Sequence, residues 1–124
     1  MKQAIETLFK NFTVNGSVIP VEFLHYQGHG EPYVIYLEYD KDNAYAADDE
    51  IEGYVVYYDF DVYGQGNIDD IIEAVKSKLK GAGWTWQPRR DSPDMFDADT
   101  EYYHKTLVFA YPVQTDVITN QTTI

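Results

Sequence analysis

The chain has 124 residues, enough for one domain with a substantial core and too few for two well-sized domains. Its 21 acidic and 9 basic side chains give a formal charge of -12, which repels a phosphate backbone and argues against sequence-specific binding of nucleic acid. The absence of cysteine excludes disulfides and cysteine-based zinc sites. The sequence has no apolar run of about 18 residues and no apolar signal-peptide core, so we expect neither a membrane span nor a cleaved secretion signal.

The first predicted element is a short amphipathic helix over residues 2–12. Four apolar side chains recur there at helical spacing: Ile5, Leu8, Phe9 and Phe12. We expect this helix to pack beside a second helix on one face of a sheet. After a turn at Asn15-Gly16, residues 18–26 are predicted to form the first strand, and Pro20 indicates a sheet edge or the start of that strand.

Two strands are predicted on either side of an acidic connection. Pro32 opens a strand over residues 33–39, and both faces of this strand are apolar, so we expect it inside the sheet. Residues 40–50 hold five carboxylates and are predicted to be a polar connection within a long hairpin. In the next strand, residues 54–63, an apolar face alternates with a face that carries Asp59 and Asp61. We expect these two aspartates not to be buried.

The strongest helix signal follows a turn at Gly64-Gln65-Gly66. Apolar residues at helical spacing predict a helix from Ile68 to Lys80, with Asn67 as its N-cap, acidic residues in its first turn and lysines in its last turn. The two glycines resemble part of a phosphate-binding loop, but Asp69 replaces the third glycine of that motif and would repel phosphate. We therefore interpret this stretch as an ordinary turn between a strand and a helix.

Two further strands, residues 84–89 and 106–111, are predicted to form a second hairpin. Their connection, residues 90–103, is long for a hairpin, and long loops of this kind are often functional. The sequence then becomes rich in Thr, Gln and Asn, so the predicted domain spans residues 1–112 and residues 113–124 form a polar tail or arm. The predicted fold class is α+β, with one mostly antiparallel sheet, two helices on one face and the order α-β-β-β-α-β-β.

No pattern of residues predicts catalysis. His25, His29 and His104 are too dispersed for a predicted metal site, and Asp40-Lys41-Asp42 begins like a calcium loop but lacks the glycine and glutamate that such a loop needs. No nucleophile motif with serine occurs. We therefore predict no catalytic, cofactor-binding or metal-binding residue, no cofactor and no enzymatic activity.

Apolar side chains in the two long connections indicate contact with a partner, with local packing as the alternative explanation. The predicted interface residues are Tyr45, Asp48, Asp49, Met95, Phe96, Tyr102 and Tyr103. Five of the nine basic residues fall between residues 76 and 90. They form either a local positive patch on an acidic body or, more simply, a solvated helix end beside a loop.

Several short segments recur in the same order in a known family. They are Pro32-Tyr33-Val34-Ile35, the strand of residues 53–63, the helix of residues 67–83 that ends in Lys-Gly-Ala-Gly, and residues 97–109, in which His104 precedes the last strand. In this order the chain resembles the small tail completion, or tail terminator, proteins of long-tailed bacteriophages and prophages. The resemblance covers residues 5–111 and includes no catalytic signature, and the polar tail has no counterpart in it.

The resemblance implies a virion structural protein that forms a ring, commonly a hexamer, at the head-proximal end of the tail tube. It implies three partners, namely further copies of the chain, the tail tube protein and the head connector protein. The protein would assemble in the host cytoplasm and then remain in the virion. The alternatives are another head-tail joining or tail tube component, and an acidic inhibitor that mimics the charge of DNA.

Overall fold

The protein is described by a computed structural model that covers residues 1–26, 28, 30–47 and 50–114. Within these residues two helices and a mostly antiparallel sheet form an α+β fold, as predicted. The elements in chain order are α1 (Lys2–Leu8), β1 (Thr13–Val14), β2 (Ser17–Val18), β3 (Val21–Phe23), β4 (Tyr33–Ala47), β5 (Glu50–Gly64), α2 (Asp69–Gly81), β6 (Thr85–Trp86), β7 (Met95–Asp97) and β8 (Tyr102–Gln114), and a short 3-10 helix (Pro88–Arg90) lies between β6 and β7. Neither described helix is long and apolar enough to cross a membrane.

The main sheet has the strand order β3-β4-β5-β8-β6, and β7 pairs with the start of β8. Only β3 and β4 run parallel among these described pairs, and the others are antiparallel. β4 therefore lies inside the sheet, as its apolar faces predicted. β1 and β2 form a separate small hairpin, which the sequence patterns did not predict.

The core lies between one face of this sheet and both helices. Phe60 of β5, Leu79 of α2 and Ile5 of α1 have no exposed surface. All three belong to one core cluster, and the Phe9 ring directly after α1 lies 6.0 Å from the Phe60 ring, so both helices pack on the same face of the sheet, as predicted. Burying one such aliphatic or aromatic side chain contributes about 1.5 to 3 kcal/mol, which is why the helices are stable only against the sheet.

The N-terminal elements are shorter than predicted. α1 ends at Leu8, and Asn11 adopts a left-handed φ of 56°, which a continuing helix does not allow. Phe12 is nevertheless buried. The predicted strand over residues 18–26 is also wrong in extent, because only Val21–Phe23 pair with β4 and Leu24 turns away with φ 68°. β3 is the edge of the sheet, as Pro20 indicated.

The prediction that residues 40–50 form a loop is wrong. Asp40–Ala47 continue β4 and pair with β5, and Glu50 already belongs to β5. The pairing tolerates register irregularities between Glu38 and Asp40 and again on either side of Tyr45. Backbone pairing needs no apolar side chains, so the polar, acidic sequence of these residues gave no sign that they continue β4.

The turn and helix that follow β5 agree with the prediction except at the N-cap, which is Ile68 and not Asn67 because the helix begins one residue later. α2 begins one residue later and ends one residue later than expected. The Asn67 side chain accepts a hydrogen bond from the amide of Asp69 at 2.9 Å, so it satisfies one free N–H of the first turn. A Cβ added at Gly64 would lie 2.7 Å from Cγ2 of Ile68, and this close contact between strand and helix requires glycine.

The predicted connection of residues 90–103 is also not a loop. It contains β7, in which Phe96 pairs with Tyr103 of β8. Upstream of β7, side chains replace part of the backbone pairing: the Val108 amide donates to Asp91 Oδ1 at 2.8 Å, and the Thr106 amide donates to Ser92 Oγ at 2.8 Å. The segment from β6 to β7 therefore lines the outer edge of β8.

The predicted boundary between domain and tail falls inside β8. Val113 pairs with Tyr54, and Gln114 pairs with Gly53, so these two residues belong to the sheet. The rest of the predicted tail, residues 115–124, lies outside the described residues.

Candidate functional site

The sheet face opposite the two described helices is called the open face below. β4, β5 and β8 place alternate side chains on it, while the residues between them point into the core. Most of these side chains are apolar or aromatic, and all of them except Val108, which is buried, lie outside the core. They are Tyr33, Ile35, Leu37, Tyr57, Asp59, Asp61, Tyr63, His104, Thr106 and Val108.

Two carboxylates lie in the middle of the open face. Asp61 is flanked by Ile35 and Thr106, and Asp59 is flanked by Leu37 and Val108. Neither is fully buried, as predicted, but both are half-buried. The sequence pattern identified the correct face of the strand and did not reveal how much of it the neighbouring strands cover.

The two carboxylates differ in their partners. Asp61 accepts a hydrogen bond from the Thr106 hydroxyl at 2.6 Å, and Nε2 of His104 lies 3.9 Å from the same oxygen. Within the residues that the structure describes, no hydrogen bond or ion pair reaches the Asp59 carboxylate. Burial first, and then the charge of Asp61, raise the pKa of Asp59 from 3.8 to about 6.

A row of stacked rings closes one end of the open face. Tyr26 stacks on Tyr33 at 4.4 Å, Tyr33 on Tyr63 at 4.8 Å, and Tyr63 on His104 at 4.1 Å. Burial raises the pKa of Tyr63 to about 12, and the nearby Asp61 and Tyr33 add to this shift through their negative charges when ionised. The Tyr63 phenol therefore stays neutral. The row adds side-chain contacts across β4, β5 and β8 at positions where their backbones are already paired.

A cleft of about 760 Å³, called the aromatic cleft, opens beside this row. Its apolar lining comes from both sides of the β7–β8 hairpin and from the stacked rings: Tyr33, Tyr63, Met95, Phe96, Ala98 and Tyr102. Phe96 keeps 54% of its surface exposed. An exposed phenylalanine in a cleft of aromatic rings is typical of a surface that contacts another molecule.

At the other end of the open face lies Arg90. Its Nη1 donates a hydrogen bond to the Tyr39 hydroxyl at 2.8 Å and lies 3.5 Å from Asp40 Oδ2. The guanidinium lies 4.1 Å from the centre of the Tyr57 ring, in a cation–π contact. The open face thus binds one cation of the chain itself, using rings and a carboxylate.

The structure brings together only part of the predicted interface. Met95, Phe96 and Tyr102 line the aromatic cleft, and Tyr103, which is 46% exposed, packs on Phe96 at 4.8 Å. These contacts agree with both explanations given for the apolar side chains, namely local packing and contact with a partner, since the side chains pack on one another and also remain exposed.

The remaining predicted interface residues do not join this cluster. The backbone of Tyr45 pairs with Gly53, roughly 40 Å along β4 from Tyr33 at about 3.3 Å per residue. Asp48 and Asp49 lie outside the described residues. The backbone of Tyr45 and the cluster around Phe96 therefore lie at opposite ends of the sheet.

Sequence reasoning missed most of the open face as a site. Period-two alternation placed Asp59, Asp61 and Tyr63 on one side of a strand. Only the strand register adds Tyr33 and His104 to them. The available signal was alternation in all three long strands, but alternation does not say which residues lie opposite one another.

Two other features considered in the sequence, the turn at Gly64-Gln65-Gly66 and the basic stretch of residues 76–90, make contacts with other residues of the same chain. The Gln65 amide after Gly64 donates to Glu31 Oε2 at 2.7 Å, so a carboxylate already occupies this turn. Lys76 pairs with Glu73 at 3.2 Å and lies 3.9 Å over the Trp86 ring, so part of the basic stretch contacts its own domain. Among the described residues, no group of three or more His, Asp or Glu side chains is arranged to hold a metal ion.

Comparison with known proteins identifies no relative, since neither a family model nor a curated protein matches the chain.

Proposed function

We propose that the protein is a structural component of a long-tailed phage or prophage virion. It forms a ring that terminates the tail tube and joins it to the head connector. Its role is binding, with no catalytic step, first in the host cytoplasm and then at the head-proximal end of the tail. The proposal is supported by the resemblance of residues 5–111 to tail terminator proteins and by the surfaces described above.

The observation that carries the proposal is the open face. An antiparallel sheet often exposes one face to water, but that face is then usually polar. Here Ile35, Leu37 and Tyr57 stand beside two half-buried carboxylates, and neither α1 nor α2 covers them, although Arg90 lies over the Tyr57 ring. A face of this composition fits contact with other protein subunits.

A ring also requires two different surfaces on each subunit, because head-to-tail contacts join unlike patches. The aromatic cleft lies at one end of the sheet, and the extended β4–β5 ribbon reaches to the other end. Their separation suits a subunit that contacts one neighbour on each side. The charge of -12 would also discourage DNA from adhering to a channel through the ring.

The proposal is tested by the mass of the protein in solution, measured by light scattering with and without the tail tube protein of the same phage. We expect a ring, either alone or on the tube. A strict monomer that binds neither the tube nor the connector would refute the proposal.

Electron microscopy of labelled particles separates the alternatives. A location along the tube or inside the connector would indicate a different joining or tube component. An acidic DNA mimic would instead compete with DNA for DNA-binding enzymes and would be absent from the particle.

A further inference from the structure

We propose that the open face binds a basic, partly apolar segment of a partner protein, and that Asp59 and Asp61 together hold a lysine or arginine of that segment. This inference rests on the proposed function, because it names the chemistry of the surface that the ring meets on the tail tube or connector.

The first argument is the state of Asp59. Its carboxylate stands between Leu37 and Val108, two apolar side chains, and two residues from Asp61. No described group donates a hydrogen bond to it. A half-buried charge beside a like charge is unfavourable until a cation neutralises it, and a partner that supplies the cation removes this cost on binding.

The second argument is that the open face already binds one cation, the Arg90 side chain of the same chain. Arg90 lies over the Tyr57 ring and donates to the Tyr39 hydroxyl. Tyr57 and Asp59 are neighbours on the open face of β5, so a second basic side chain would lie next to Arg90 and make contacts of the same kind. Its apolar neighbours would meet Ile35 and Leu37, which are half-buried.

The third argument concerns the identity of the occupant. Two copies that met through their open faces would bring Asp59 and Asp61 against the same residues of the other copy, which is repulsive. The copy also offers few cations, because most of its nine basic side chains already make contacts within the chain. Nucleic acid is repelled by the same carboxylates. A basic protein segment is the occupant with complementary charge.

The experiment uses the full chain and two synthetic peptides near neutral pH, followed by amide chemical shifts in NMR. In the first peptide Arg alternates with Val. In the second, citrulline replaces each Arg, which keeps the shape and removes the charge. We expect the Arg peptide to shift amides of the open face, with the largest changes from Ile35 to Leu37, from Asp59 to Asp61 and at Thr106, and the citrulline peptide to bind at least about tenfold more weakly.

The double variant Asp59→Asn and Asp61→Asn keeps the side-chain shapes and is expected to lose about tenfold or more in affinity for the Arg peptide. Asp69→Asn, an exposed carboxylate on α2, is the matched control and should bind like the unchanged chain. Equal binding of both peptides, or shifts confined to another surface, would overturn the inference. The peptide comparison decides the matter even where the double variant does not fold.

The inference and the proposed function fail in different ways. A double variant that forms rings and binds the tube as well as the unchanged chain would refute the inference and leave the proposed function standing. A chain that neither assembles nor binds the tube would refute the proposed function, whereas the peptide comparison would still show whether the open face takes a basic segment.

Discussion

The two faces of the same sheet have different chemical roles. On the core face, Phe60 and Val62 of β5 have no exposed surface and belong to the hydrophobic core cluster. On the open face, the adjacent Asp59 and Asp61 are half-buried and charged. Successive residues of one strand thus serve opposite purposes, since the core face supplies stability and the open face retains groups that a protein optimised for stability alone would not keep.

The largest expected effect on stability is the difference between replacing a buried and an exposed phenylalanine. Phe60→Ala leaves a cavity in the core and should lower the free energy of unfolding by about 3 to 5 kcal/mol. Phe96→Ala, at a position that is 54% exposed, should lower it by less than about 1 kcal/mol. Urea denaturation measures both values, and equal losses would contradict the distinction between the buried core position of Phe60 and the exposed position of Phe96.

The next effect concerns the donor to Asp61. Thr106→Val keeps the shape of the side chain and removes the hydroxyl that donates to Asp61 at 2.6 Å. A hydrogen bond to a charged, half-buried group should contribute about 1 to 2 kcal/mol, so the variant should unfold at a lower urea concentration. Thr85→Val, at an exposed position of β6, is the control and should change stability little. A loss no larger than that of the control would show that solvent replaces the Thr106 hydroxyl.

The ionisation of Asp59 is expected to have a smaller effect on the free energy of unfolding, and this effect depends on pH. Its folded-state pKa of about 6 lies above its ordinary 3.8, so the folded chain takes up this proton more readily than the unfolded chain. The stability from this group is fully present below pH 3.8 and is lost as the pH rises through about 6. Asp61 is the charged neighbour, while the flanking Leu37 and Val108 do not titrate.

Asp59→Asn should therefore raise the free energy of unfolding near neutral pH by about 1 kcal/mol, a value reduced for partial exposure to solvent, and should flatten the pH dependence between 3.8 and about 6. Thermal unfolding across that range measures both changes. Asp69→Asn on α2 provides the comparison for a carboxylate in solvent. A variant that is less stable than the unchanged chain at neutral pH would contradict this account of Asp59.

The smallest effect is expected from Arg90→Gln. The variant removes an exposed cation that binds Tyr39 and Asp40, and exposed ion pairs contribute little to stability. Arg89→Gln, the adjacent exposed residue, is the matched control. Thermal unfolding should show a slight loss for Arg90→Gln alone, whereas a loss as large as that of Thr106→Val would mean that Arg90 organises the open face.

Much of the scaffold was predictable because its side chains repeat with a clear period. The stripe of α2 predicted that helix within one residue at each end, and the alternation of β5 predicted its buried face and its end within one residue, whereas β5 begins four residues earlier than expected. The strand character of residues 40–47 and of β7 was not predictable. These strands are held by backbone pairing to neighbours distant in the sequence, and this pairing leaves no apolar pattern in the residues themselves.

The candidate site was predictable only in part. The exposed aromatic residues near Phe96 were identified because large apolar side chains are unusual in a polar segment. The aspartates of β5 were assigned to the correct face but not recognised as a site. Tyr33 and His104 lie far apart in the sequence, and nothing local connects them to Tyr63.

By itself, the sequence determined the fold class, the two helices and the alternation that gives β5 its buried apolar face, because helix and strand periods are local properties. Only the tertiary structure decided that Tyr33, Tyr63 and His104 form one stack, and that Asp59 lacks a described partner while Asp61 has Thr106. The physical reason is strand register, which sets the neighbours of each side chain and depends on contacts between segments distant in the chain.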